Sequence, residues 1–410
     1  LTVLNAAQIA MLDHQHLAPL MADRLEHLEA ELAARSLDDV PMTVVCVVRH
    51  GYAATKASIE SLYRNTRARF IVFYLDVCSP PEVADYLRQQ SRDRPDFHHL
   101  RIDRYVSRQT ARLLVLDRVV TRFTVFLDNN MLLAPDCLDI LLRAAADDRA
   151  DVVSPFIVMH GGLVHFSGSV IVKNGDGTIR RSQNTKECPL ATPLARAKPR
   201  KMEIDFAESH CCLVATDCFK GALEHVFPED MHNSHTLGLG TYLMKTERGR
   251  RMIIEPQSMV SILPIGFGFD IPWLFESYMD LECFRKSYHL YGTRIGKGNS
   301  TTFDNLRWHR KHLLYLLLSM LEGNRLSRTA LLEPDEVPER VAGYDTPLPD
   351  DALARVEAEI VPFVRKRHPG VLPRLMRWLH EVEEIISGLE HGGDERRSRR
   401  PADALRGSGV

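Results

Sequence analysis

From residue 42 to residue 158 the chain alternates short apolar runs with amphipathic stretches, and this alternation restricts the fold more than any other feature. The runs are "MTVVCVV", "RFIVFYLD", "HLRID", "FTVFLD" and "DVVSPFIV". Between them lie segments with helical spacing: one through Ile59 and Leu62, one through Val83 and Leu87, one from Ser107 and one from Pro135. Runs that are apolar at nearly every position suit strands covered on both faces, and helices between such strands make neighbouring strands parallel. The prediction is an α/β fold with a mostly parallel central sheet and helices on both faces.

Two of these strands end on aspartate, at Asp76 and Asp128, and the run "MTVVCVV" is followed directly by Arg49. Sheets of this kind bind ligands beyond the carboxyl ends of their strands. A carboxylate there can accept hydrogen bonds from a ribose or a base, or stand beside a divalent ion that neutralises a diphosphate. Taken singly, each aspartate reads equally as a turn or helix-cap residue. "DNN" at 128–130 is harder to assign to packing, because three polar residues end a strand that is otherwise apolar.

Outside this region the patterning changes. Apolar residues from Asn5 to Arg35 recur at helical spacing, so residues 1–40 are expected to form an N-terminal helical extension. "GGLVHFSGSVIVKNGDGTIRR" reads as a hairpin turning at Asn174 to Gly177, and "PLATPLARAKPRK" as a basic loop. Helices are expected over Asn305–Leu321, Asp351–Lys366 and Leu372–Leu389, and residues 392–410 have the composition of a disordered tail. The leucine stripes of the terminal helices are candidates for pairing two copies into a homo-oligomer.

Composition narrows the partners. Lys and Arg total 52 against 54 Asp and Glu, a net charge of −2, so no global field favours nucleic acid or acidic membranes. The longest late apolar run, "LLYLLLSML", is far shorter than the roughly 20 residues that span a bilayer; peripheral membrane contact stays open. The eight cysteines show no C-x-x-C spacing, and no basic n-region opens the chain, so a reducing, cytoplasmic setting is expected. Cys211 and Cys212 sit in an apolar run and read as core.

The succession "MTVVCVVRHGYAATKASIESLYRNT", "FIVFYLDVCSPPEVADYLRQQ", "VFLDNNMLLAPDCLDILL" and "CCLVATDCFKGALEHVFPE" resembles the nucleotide-sugar-dependent glycosyltransferases of family 2, which have the GT-A fold. The resemblance runs from residue 42 to residue 262. It implies a GT-A domain over 41–270, with a nucleotide-sugar-binding half at 41–160 and an acceptor half at 161–270, followed by a C-terminal helical region at 271–391. By the same resemblance Asp76 and Ser79, with Arg49, contact the nucleoside, and Asp128, Asn129 and Asn130 occupy the Asp-x-Asp motif. Asp128 and Asn130 would then hold Mg²⁺ or Mn²⁺ against the diphosphate of a nucleoside-diphosphate-sugar.

Two departures from the family pattern bear on mechanism. Asn130 replaces an acidic ligand, and an amide oxygen brings no negative charge to a hard cation. Arg108 and Arg112, one helical turn apart, could supply the missing positive charge to a diphosphate, or could form a solvated helix face. The acidic pair that activates the acceptor is also missing at its usual place: Leu237 and Gly238 stand there. Glu229, Asp230, His232 and His235 are the candidate catalytic bases, with Asp205 and Glu208 as further choices. "HNSH" at 232–235 and His210 read alternatively as metal ligands.

The resemblance implies a transferase of the hexosyltransferase type that moves a sugar to an unidentified nucleophile, on a glycan, small molecule, lipid or peptide, with inversion. Asp128→Ala is expected to abolish transfer and leave the fold intact. The alternative is a catalytically degenerate GT-A domain that binds a nucleotide or a partner protein. A sugar nucleotidyltransferase shares the sheet type, but "RHGYAATK" lacks the glycine-rich basic loop such enzymes carry after the first strand.

Overall fold

The structure is a computed structural model and describes residues 6–48, 52–77, 79, 81–103, 108–159, 162–173, 179–182, 200–208, 210–218, 244–245, 248–263, 331, 351–355, 357–358 and 362. The chain divides into two compact units, Leu1–Lys297 with Glu322–Thr346, and Gly298–Leu321 with Pro347–Val410. In the second unit a single helical turn is described, Ala352–Arg355, within the expected 351–366 helix. The helices expected at 305–321 and 372–389 and the tail at 392–410 lie outside the described residues, as do most of the basic loop and the turn at 174–177.

In the first unit, four apolar runs become parallel strands: β1 (Met42–Val47), β2 (Phe70–Val77), β3 (Phe97–Ile102) and β4 (Phe123–Asp128). Strands β1, β2 and β4 are buried at every position, as their unbroken apolar sequences require. The helices between them are α2 (Thr55–Arg64), α3 (Pro81–Asp93) and α4 (Arg108–Leu116). After β4 come a short β5 (Met131–Leu133), α5 (Cys137–Asp147) and β6 (Val152–Met159).

Next follow β7 (Leu163–Phe166), the hairpin β8 (Val170–Lys173) and β9 (Ile179–Ser182), β10 (Met202–Glu203), β11 (Cys211–Ala215) and β12 (Met252–Ile262). The main sheet runs β10-β12-β6-β11-β4-β1-β2-β3, with β5 on β12 and β7 on β6. Strand β11 is antiparallel to both β4 and β6, while β12 is parallel to β6. The sheet is thus parallel on the β3-β2-β1-β4 side and mixed beyond it. This mixed α/β architecture with a curled central sheet is that of the GT-A fold.

Strand β12 was not foreseen from the sequence. Its alternation is interrupted at Pro256, and its register with β6 shifts between Glu255 and Met259. Opposite that shift sits Pro155 of β6, which has no N–H to donate, so the partner strand bulges where the ladder is already broken.

The first helix, α1 (Ala6–Ala33), belongs to the domain core. Met21, Leu25, Leu28 and Leu32 recur at helical spacing and are all buried, α1 lying against α4 and β3. Glu29 pairs with Arg118 at 3.0 Å and Glu31 with His98 at 3.0 Å. Arg24 and Arg35 donate to the backbone carbonyls of Arg101 and Pro95, within and just before β3. This stripe was a candidate seam between two copies; in the structure it is filled by the chain itself.

Leu28→Ala is expected to cost about 2–5 kcal/mol, the usual range for emptying a buried leucine site. Urea denaturation of the full chain would show it as a lower midpoint with an unchanged slope. Removal of residues 1–38 should expose the faces of α4 and β3 that the stripe covers and destabilise the domain, where an oligomer-only role for α1 would leave a stable monomer.

A buried carboxylate hub at the strand ends

Strand register brings the polar ends of the strands together. Val47 of β1 stands opposite Asp128 of β4, and Leu127 stands opposite Cys211 of β11. The Asp128 N–H donates to the His210 carbonyl at 2.9 Å and the Asn129 N–H to the Val47 carbonyl at 2.9 Å. The Asn130 carbonyl accepts from the Leu263 N–H at 2.8 Å, just past β12. The backbone of "DNN" is therefore fixed from three sides before its side chains do anything.

The Asp128 carboxylate is fully buried and accepts from three side chains. Arg108 Nη1 donates to Oδ2 at 2.7 Å, Arg112 Nη2 to Oδ1 at 2.9 Å, and His210 Nδ1 to Oδ2 at 2.9 Å. Both arginines come from one face of α4, a turn apart, and are no more exposed than 2% and 0%. This burial excludes the solvated helix face. The Arg112 guanidinium also lies over the Phe126 ring, 5.2 Å from its centroid.

Two guanidinium groups thus face one carboxylate in a region shielded from water, where each ion pair is stronger than at the surface. The same surroundings hold the neighbouring thiols in the neutral form. Burial pushes the Cys212 thiol up to about 12, with Arg112 only partly opposing it, and burial also raises Cys46 and Cys211. Cys46, Cys137, Cys211, Cys212 and Cys218 are all free and buried, as expected of core cysteines.

A second cluster forms around Asp76. Its Oδ1 accepts the Ser79 N–H at 3.0 Å, while Oδ2 accepts from His99 Nε2 at 2.7 Å and Arg101 Nη1 at 3.0 Å. Arg101 Nη1 also reaches the Ser79 carbonyl and Oγ, each at 2.9 Å. The partners on β3 follow from register, since Asp76 stands directly opposite Arg101. Burial works to raise the Asp76 carboxyl, yet the hydrogen bonds from His99 and Ser79 and the charges of His99 and Arg101 carry it below the usual value.

The remaining site residues divide by location. Asn129 donates to Thr55 Oγ1 at 3.0 Å, and Thr55 is 3.1 Å from the Tyr74 hydroxyl. Asn130 is 5% exposed, and its amide oxygen has no hydrogen-bond partner among the described residues. Asp205 pairs with Lys245 at 2.6 Å. Arg49, Glu229, Asp230, His232 and His235 lie outside the described residues. His99, Arg101 and His165 drew no attention from sequence reasoning, because their relevance depends on strand register.

Two outcomes follow from these clusters. Asp128→Ala would break two buried ion pairs at once, so it should cost about 3–5 kcal/mol and not spare the fold. A urea titration of the variant would read that loss directly. Asp76 has a folded-state value below its unfolded one, so its stabilisation is complete above the ordinary aspartate value and fades as pH falls through the folded value. The stability gap between wild type and Asp76→Asn, measured from pH 7 downward, should therefore be widest near neutrality and close in acid.

Residues 43–201, less than half of the chain, match the family model described as Glycosyl transferase family 2. No curated protein matches the sequence significantly. Among solved structures, one of GalNAc-T7 with UDP, GalNAc and Mn²⁺ aligns at 13% identity and a TM-score of 0.43, covering 63% of this chain and 51% of that one. One of S. aureus TarS, residues 1–349, aligns at 12% identity and a TM-score of 0.40, covering 84% and 90%. The chain thus spans about half the length of the GalNAc-T7 chain. Residues 43–201 are thus similar to the glycosyl transferase family 2 domain, and the strand order of the unit that holds them is consistent with the GT-A fold.

Proposed function

We propose that the protein transfers a sugar from a nucleoside-diphosphate-sugar to an acceptor nucleophile, in a single displacement that inverts the anomeric carbon. The observation that carries this reading is the Asp128–Arg108–Arg112 assembly at the carboxyl end of β4, where this fold meets its ligands. Glycosyl transfer builds positive charge on the sugar and negative charge on the departing diphosphate. The protein must hold the donor, stabilise the leaving group and deprotonate the attacker.

The family pattern implies a divalent cation on Asp128 and Asn130. The residues present do not fit that role well: both Asp128 oxygens already accept charged or imidazole donors, and two guanidinium groups would repel a cation placed there. We therefore assign the counter-charge for the diphosphate to the guanidinium groups of Arg108 and Arg112, with the start of α4 adding its N-terminal partial charge. The buried amide oxygen of Asn130 suits a hydroxyl donor on the ligand better than it suits a hard cation.

In this reading Asp76 acts at the nucleoside end by setting the Ser79 turn and Arg101, and Arg49 is a further proposed nucleoside contact. Asn129 positions Thr55 below the site. Glu229, Asp230, His232 and His235 remain the proposed sources of the general base. The acceptor is a glycan, small molecule, lipid or peptide hydroxyl. Among the described residues no helix is long and apolar enough to cross a membrane. The free buried thiols accord with the reducing, cytoplasmic setting that we propose.

Calorimetry of the full chain with uridine, guanosine and thymidine diphosphates, with Mn²⁺ and with EDTA, tests the reading. One diphosphate should bind, and Arg108→Gln should weaken it more than about tenfold, the scale of a lost charge-assisted hydrogen bond. Binding that survives EDTA supports guanidinium compensation, whereas a strict Mn²⁺ requirement moves that role to a cation. Absence of any diphosphate binding would leave the non-catalytic interaction module as the better account.

A further inference from the structure

We infer that His165, Glu208 and His210 form a binding site for one divalent transition-metal ion, separate from the Asp-x-Asp position. The His165 and His210 ring nitrogens Nε2 face each other at 3.1 Å, and a Glu208 carboxylate oxygen lies with both inside a 4.8 Å circle. Two imidazole nitrogens bound at about 2.0–2.1 Å to one ion stand roughly 3.0–3.4 Å apart at octahedral or tetrahedral angles. The observed spacing falls within that interval.

Three further features organise these groups. Asp128 can only accept, so His210 Nδ1 carries the proton and its Nε2 presents a lone pair toward His165. A histidine whose far nitrogen donates to a carboxylate is the usual arrangement for a metal ligand, because the carboxylate fixes the tautomer and raises the basicity of the ligating nitrogen. Asp128 then serves the ion through His210 instead of binding it.

His165 reaches the site through an irregularity in β7. Ile157 pairs with Phe166 and Val158 with Val164, so His165 has no residue opposite it. Such a bulge re-aims one side chain out of the ladder's alternation. The His165 and His210 rings meet edge to face, with centroids 4.9 Å apart. His210 is 3% exposed, while His165 and Glu208 are half-buried, which leaves the site an approach from solvent.

Two imidazoles and one carboxylate favour Zn²⁺ or Mn²⁺ over Mg²⁺, and three protein ligands leave a coordination position open to an outside oxygen. The competing account is a plain hydrogen bond from one histidine to the other with no ion. The inference is independent of the proposed reaction, since it concerns the protein without nucleotide.

The test is calorimetry on full-length protein stripped with EDTA and then titrated with Zn²⁺, Mn²⁺ and Mg²⁺, for wild type, His165→Gln and Glu208→Gln. One Zn²⁺ or Mn²⁺ should bind per chain, at least about tenfold more tightly than Mg²⁺, and each variant should lose at least about tenfold in affinity. Electron spin echo spectra of wild-type protein with Mn²⁺ should show nitrogen couplings from imidazole, a readout that needs no folded variant. Wild-type protein that binds none of these ions, a variant that folds and keeps full affinity, or Mn²⁺ spectra without nitrogen coupling would each overturn the site.

Discussion

The carboxylate of Asp128 compensates two guanidinium groups that have no access to water, and the strand ends depend on that compensation. Removing a charge from water costs several kcal/mol unless a partner and hydrogen bonds replace the lost solvation. Here the exchange is reciprocal: the carboxylate offsets the burial of the two guanidinium groups that α4 lays against the sheet, and they offset the burial of the carboxylate. His210 completes the set from just before β11, so a helix and the ends of two strands are tied at one atom group. The backbone supports this knot, since the Asp128 N–H is already held by the His210 carbonyl.

A consequence for mechanism is that the first residue of "DNN" is a structural centre as well as a candidate ligand contact. Family patterns present such an aspartate as a reagent facing the substrate. In this chain its charge is engaged internally, by guanidinium on one side and an imidazole on the other, and the proposed reaction assigns the outward chemistry to those groups. Loss of the second acidic residue at Asn130 accords with that transfer, because an amide keeps the oxygen while adding no charge to be balanced.

Much of the fold was readable in the sequence, and the reason is physical. Strands β1, β2 and β4 are apolar at nearly every position because both their faces are covered, so length and composition alone identified them. Strand β12 escaped notice because Glu255, Pro256, Gln257 and Ser258 break its pattern at the bulge. In the candidate site, Asp76, Asp128 and the arginine pair were legible because strand ends and helical spacing are local properties. Their partners were not: Arg101 faces Asp76 through parallel register, and His210 meets Asp128 across 82 residues of chain. His165 required knowing where β7 departs from regular pairing, which no local pattern encodes.

The cover that α1 gives to β3 has a meaning for synthesis as well as for stability. Strand β3 is the last strand of the sheet on its side, and an unpaired edge invites strand addition from another chain. Arg24 and Arg35 engage carbonyls within and just before that edge, and charged side chains there disfavour a foreign strand. Because α1 precedes β3 in the chain, it leaves the ribosome first. The guard is thus available when the vulnerable edge emerges, at the stage when partly folded chains are most prone to associate.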